Sequence, residues 1–124
     1  MRRVFALLAM IGVLMVPARG LPQGLCPGRT QPMIPYAHET LTVSNTAITL
    51  TASVYNAGGV SPGMAVVVLT GDNIRVWSDG TAPTAAVGQL INANAFFLCG
   101  YESIAQFKAI RQTTDASMSV QYYR

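Results

Sequence analysis

The chain has 124 residues, 51% of them apolar and only 10% charged, with a formal net charge of +3. That length suits a single domain, and so apolar a composition excludes intrinsic disorder, which goes with few apolar residues and much charge. The excess charge sits in Arg2, Arg3 and Arg19. From Leu21 onward five basic residues (Arg29, Arg75, Lys108, Arg111, Arg124) balance five acidic ones (Glu39, Asp72, Asp79, Glu102, Asp115), so the body offers no basic surface for nucleic acid.

Arg2 and Arg3 precede an apolar run from Val4 to Val16, which ends in Pro17 and Ala18-Arg19-Gly20. This is the layout of a secretory signal. The run is too short to span a bilayer, which takes about 20 helical residues, so no stable membrane insertion is expected. Residues 1–20 are read as a candidate signal peptide cleaved near Gly20, or else as a spurious extension ahead of a start at Met33. Residues 21–35 hold four prolines and neither structural period, and are read as an irregular arm. Cys26 lies in that arm and Cys99 at the end of an expected strand. Two free cysteines are the preferred reading. In an exported chain a Cys26–Cys99 disulfide is the alternative, worth about 4 kcal/mol by loop entropy.

From residue 38 apolar residues recur with period two, and turn signals break the chain every eight to twelve residues. Leu41 and Val43 mark a first strand. Ile48 and Leu50 mark a second, with a possible extent to Tyr55. Asn56 to Gly63 is a loop. Met64 to Leu69 (MAVVVL) is a continuous apolar run, read as a strand covered on both faces. After Gly71-Asp72-Asn73, Ile74, Val76 and Ser78 alternate with Arg75 and Trp77. Asp79 to Thr84 (DGTAPT) is a loop, followed by strands at Val87–Ile91 and Ala95–Cys99. Gly100 to Gln106 has room for one helical turn, and Phe107–Arg111 with Met118–Tyr123 is read as a closing hairpin.

The expected fold is all-β: a single antiparallel β-sandwich or jelly-roll-like barrel of about eight short strands over residues 36–124. The expected core is Leu41, Val43, Ile48, Leu50, Val66, Val68, Ile74, Val76, Leu90, Phe97, Phe107, Ile110, Met118, Val120 and Tyr122.

Little in the sequence points to catalysis. His38 is the only histidine, and the five acids of the body are scattered. No nucleophile, base and orienting group come together. NAGGVSPG lacks the lysine and the helix of a phosphate loop, and no calcium-loop spacing occurs. No enzyme activity, cofactor, metal or small-molecule substrate is expected. Arg75 and Trp77 share the face opposite Ile74 and Val76, and an exposed Trp beside an Arg makes an interface anchor. Tyr123, next to Arg124, is a second candidate. From Met33 to Arg124, 26 of 92 residues are Ser, Thr, Asn or Gln against nine charged ones. So neutral a β surface is weakly guarded against association, and a homo-oligomer or larger assembly is expected.

Three stretches, Leu41–Tyr55, Ile74–Thr84 and Phe107–Tyr122, give the chain a family resemblance. Together with HETLTVSNTAITLTASVY, the most specific piece is IRVW followed by DGTAPT, and the closing piece is FKAIR with a final alternating strand. In these the chain resembles small tailed-bacteriophage virion structural proteins, over about residues 36–123 and none of the first 32. The resemblance implies a non-enzymatic β module that decorates or cements a capsid, or serves as a head–tail adaptor, in contact with other virion proteins and with itself. The residues expected to carry those contacts are Arg75, Trp77, Asp79, Gly80, Thr81, Pro83, Thr84 and Tyr123. Such proteins usually begin near the first strand, which favours Met33 as the start. The alternative is a secreted or periplasmic β-sandwich that binds carbohydrate or protein.

Overall fold

The computed structural model describes residues 26–28, 32–92 and 94–124. The expected signal peptide at 1–20 lies outside them, as does much of the arm. Eight strands follow in order: β1 Pro35–Val43, β2 Ile48–Thr49, β3 Met64–Gly71, β4 Ile74–Trp77, β5 Gln89–Ile91, β6 Ala95–Cys99, β7 Lys108–Arg111 and β8 Ala116–Tyr123. Two short helices, α1 Ala52–Tyr55 and α2 Tyr101–Ala105, sit in connections.

The strands form two four-stranded sheets. Sheet A has the order β1-β8-β3-β6 and sheet B the order β2-β7-β4-β5. Every pairing is antiparallel. The first strand pairs with the eighth, the second with the seventh, the third with the sixth and the fourth with the fifth. Two further pairings, β3 with β8 and β4 with β7, complete the sheets. This is the strand order of a jelly roll, in which a long folded-back ribbon is rolled into two layers. The all-β sandwich expected from the sequence is the fold observed.

Side-chain alternation explains the layering. Along β8, Ala116, Met118, Val120 and Tyr122 are buried while Ser119 and Gln121 are exposed. On β4, Ile74 and Val76 are buried and Arg75 and Trp77 are half-buried on the other face. One continuous core joins Val43, Val67, Leu69, Met118 and Val120 of sheet A to Ile74, Val76 and Ala109 of sheet B. Burying a large apolar side chain of this kind contributes about 1.5–3 kcal/mol.

Several expectations are corrected. The second strand ends at Thr49, and the chain turns into α1 instead of extending to Tyr55. The last two strands do not pair as a hairpin: β7 lies in sheet B and β8 in sheet A, because consecutive strands of the rolled ribbon change layers here. On β3 the buried residues are Ala65, Val67 and Leu69, so Val66 and Val68 point outward and Val68 is 44% exposed. The strand is therefore not covered on both faces. The same one-residue phase error moves Phe97 from core to surface and puts Leu98 in its place. On β7, Ala109 is buried and Ile110 only half-buried, and Leu90 of β5 is exposed. Leu41 and Ile48 are partly buried and pack against the core.

Candidate interaction surfaces

The DGTAPT loop leaves β4 and folds on itself. The Asp79 carboxylate accepts the Thr81 N–H at 2.9 Å. This bond holds the carboxyl below the usual aspartate range. Gly80 takes φ +85°, a left-handed conformation that glycine adopts freely. Its N–H donates to the Gln106 carbonyl at 3.1 Å, which ties the loop to the end of α2. Pro83 is buried. Thr84 Oγ1 accepts the Val87 N–H at 3.0 Å, and the Thr84 and Val87 backbones exchange bonds of 2.8 and 3.2 Å.

Arg75 clamps the far side of this loop. Its Nη1 donates to the Gly88 carbonyl at 3.0 Å and its Nε to the Ala85 carbonyl at 3.3 Å. Gly88 makes that close approach possible, since a Cβ there would stand 3.0 Å from Pro83 Cβ and 3.2 Å from Arg75 Cβ. No ion pair joins Asp79 to Arg75 or Arg111; Arg111 pairs with Asp115 instead. The motif residues Arg75, Asp79, Gly80, Thr81, Pro83 and Thr84 are thus brought together, chiefly to fix one loop.

Trp77 lies one step along β4, on the outer face of sheet B, opposite Lys108 of β7. Tyr123 lies on β8, at the outward positions of sheet A, and its hydroxyl donates to Gln121 Oε1 at 3.2 Å. The structure therefore puts Trp77 and Tyr123 on opposite sides of the sandwich, and they do not form one surface.

Further polar side chains brace other turns. The Asp72 carboxylate accepts the N–H groups of Thr113 and Thr114, at 2.8 and 2.6 Å, across the β7–β8 connection. Those bonds lower its pKa. Glu39 has the same inward phase on β1 as Leu41 and Val43. Its carboxylate accepts the Thr51 N–H at 3.0 Å and the hydroxyl of the fully buried Tyr122. Burial, then the bond to Glu39, pushes the Tyr122 phenol well above its usual range. Sequence reasoning missed Glu39, although its even spacing from Leu41 and Val43 marks it as inward-facing. His38 points outward and is exposed.

Cys26 and Cys99 are bonded as a disulfide, with Cα atoms 5.3 Å apart across a separation of 73 residues. This corrects the expectation of two free cysteines. Pro35, Tyr123, Met64 and Cys99 lie in one row across sheet A, so the bond fastens the arm at the opposite edge from the start of β1. Met64 has outward phase on β3, yet it is buried there beside Cys99.

Among the described residues no group of three His, Cys, Asp or Glu side chains comes together to hold a metal. Among them, too, no helix is long and apolar enough to cross a membrane. The chain matches no protein family, no curated protein and no solved structure.

Proposed function

We propose that the protein is a non-enzymatic structural module of a phage virion, a capsid decoration or cement protein or a head–tail adaptor, that acts through protein–protein contacts. The observation that carries this reading is how the charged side chains are used. Glu39, Asp72, Arg75, Asp79 and Arg111 each bond to the protein's own loops or to a neighbouring side chain. What remains on the sheet faces, Lys108 beside Trp77 apart, is largely neutral: Ser119, Gln121, Val68, Phe97, Leu90 and Trp77. Such a surface suits packing against other proteins better than polar chemistry on a small substrate. The jelly roll itself serves capsid and lectin domains alike, so the fold alone does not choose between them.

The second reading is an exported binding module. The Cys26–Cys99 bond favours it, because disulfides persist in secreted and periplasmic proteins. They persist on virion surfaces as well, which keeps the bond compatible with the first reading. The test is mass spectrometry of purified virions from the strain that carries the gene, with the culture medium and periplasm analysed alongside. The virion reading expects the chain in particles at many copies. A chain missing from particles and recovered outside the cytoplasm, trimmed near Gly20, overturns it.

A further inference from the structure

We infer that the outer face of sheet B, around Trp77, docks an acidic segment of a different protein, one in which aspartate or glutamate side chains stand among apolar ones. The inference rests on the assembly reading above and names the chemistry of a partner. The pairing register lays out this face. Trp77 lies opposite Lys108 of β7, and Arg75 lies between Ile110 of β7 and Leu90 of β5. The inward positions of the same strands belong to Ile74, Val76, Ala109 and Ile91, which pack in or against the core. Arg75 donates from Nη1 to the Gly88 carbonyl. Gly88 comes level with Trp77, one step beyond the Val76–Gln89 pair. Trp77 is thus flanked by Lys108 on one side and by the Arg75 guanidinium on the other.

Neither cation has a carboxylate of its own. The chain has five acidic side chains, and each is engaged elsewhere. Glu39 accepts from Thr51 and Tyr122, Asp72 from Thr113 and Thr114, and Asp79 from Thr81. Glu102 accepts the Gln106 side-chain amide at 2.9 Å. Asp115 pairs with Arg111, the one ion pair among the described residues. Lys108 makes no hydrogen bond or ion pair among them. Arg75 uses two of the five N–H donors of a guanidinium, both on neutral carbonyls, so its charge stays uncompensated. Sheet A differs: no Lys, Arg, Asp or Glu stands at an outward position of its strands. A carboxylate laid across Trp77 compensates both cations, while Trp77, Ile110 and the exposed Leu90 supply apolar contact around it. A second copy of this chain does not fit the role, because its carboxylates are already bonded. Nucleic acid does not fit it either, since from Leu21 onward the chain has no net charge.

The test is zero-length cross-linking with a carbodiimide, which joins an amine to a carboxylate lying against it. Lys108 is the only lysine of the chain, so it supplies the one side-chain amine. The reagent is applied to whichever fraction holds the chain (particles, periplasm or medium), and the linked peptides are sequenced by mass spectrometry. The expected product is an amide between Lys108 and an aspartate or glutamate of a different protein. Lys108→Glu is expected to lower the recovery of that protein with the chain about tenfold, at an unchanged melting temperature. Lys108→Arg is expected to keep the recovery and lose the amide. Lys108→Gln decides the matter if Lys108→Glu does not fold. A Lys108 left unlinked overturns the inference. So does a Lys108 linked to this chain's own Asp79 or to a second copy, and so does a recovery that Lys108→Glu leaves intact. A chain absent from particles overturns the virion reading. An unlinked Lys108 in particles that do hold the chain overturns this face alone.

Discussion

Sheet A and sheet B are held by different means. In sheet A, β1, β3 and β8 run eight or nine residues, and their pairing is continuous from Leu41–Met118 to Val67–Val120. Length and alternating burial suffice there, and a disulfide fastens its far edge. In sheet B no strand exceeds four residues. Its connections are braced by side chains that bond to backbone: Arg75 to Ala85 and Gly88, Asp72 to Thr113 and Thr114, Asp79 to Thr81. Short strands bury too little to fix their own loops, so polar side chains do it. This is why GDN, IRVW and DGTAPT cluster around sheet B, while on sheet A the hydrophobic rhythm is interrupted chiefly by Glu39 of β1.

The largest expected effect falls on sheet A. Replacing both Cys26 and Cys99 by Ser should cost about 4 kcal/mol by the loop-entropy relation, read as a lower denaturation midpoint. A midpoint equal to that of the wild type would mean that the bond holds nothing sheet A needs. Met118→Ala, at a fully buried site in the middle of β8, should cost about 2–5 kcal/mol in global unfolding. On sheet B the expected loss is smaller and local. Arg75→Ala should lower global stability by about 1 kcal/mol. It should also speed amide exchange at Val87 and Gly88 far more than at Val67 or Val120. Uniform acceleration across both sheets would erase the distinction. The smallest effect is in acid. The lowered pKa of Asp72 means that its bracing of Thr113 and Thr114 is complete above the ordinary aspartate range, near pH 4. It is lost as pH falls through the lowered value. Exchange at those two amides, corrected for intrinsic rates, should rise with acid in the wild type. In Asp72→Ala it should already be fast at neutral pH.

The architecture was legible in the sequence because period-two alternation and turn chemistry are strong signals where, among the described residues, the α-helices are four and five residues long. The boundaries of β6 and the position of α2 followed from it. Phase was legible only where polar residues mark it. In β8 serines alternate with Met118 and Val120, and the inward set is unambiguous. In MAVVVL and AFFLC no polar residue breaks the run, so Val66, Val68 and Phe97 were placed inward when Val67, Leu69 and Leu98 are. A one-residue slip turns over every side chain of a strand, and here only the pairing with β8 settles it. Strand partners were illegible for a related reason. The last two strands read as a hairpin, and only the rolled topology separates them into two sheets. The roles of Arg75 and Asp79 were half legible: the sequence marks both residues, but not that each binds the backbone of the loop that follows β4. The outward apolar strip on β3 and β6 was hidden by the same phase error that placed its members in the core.

The disulfide also changes how the molecule bears a load. With Cys26 joined to Cys99, a pull on the chain ahead of Cys26 passes straight to the end of β6. The strands β1 to β5 lie within the covalent ring and cannot be drawn out in line while the bond lasts. Only β7 and β8, which follow Cys99, can peel under tension between the two termini. Under load, this confines mechanical yielding to the last quarter of the chain.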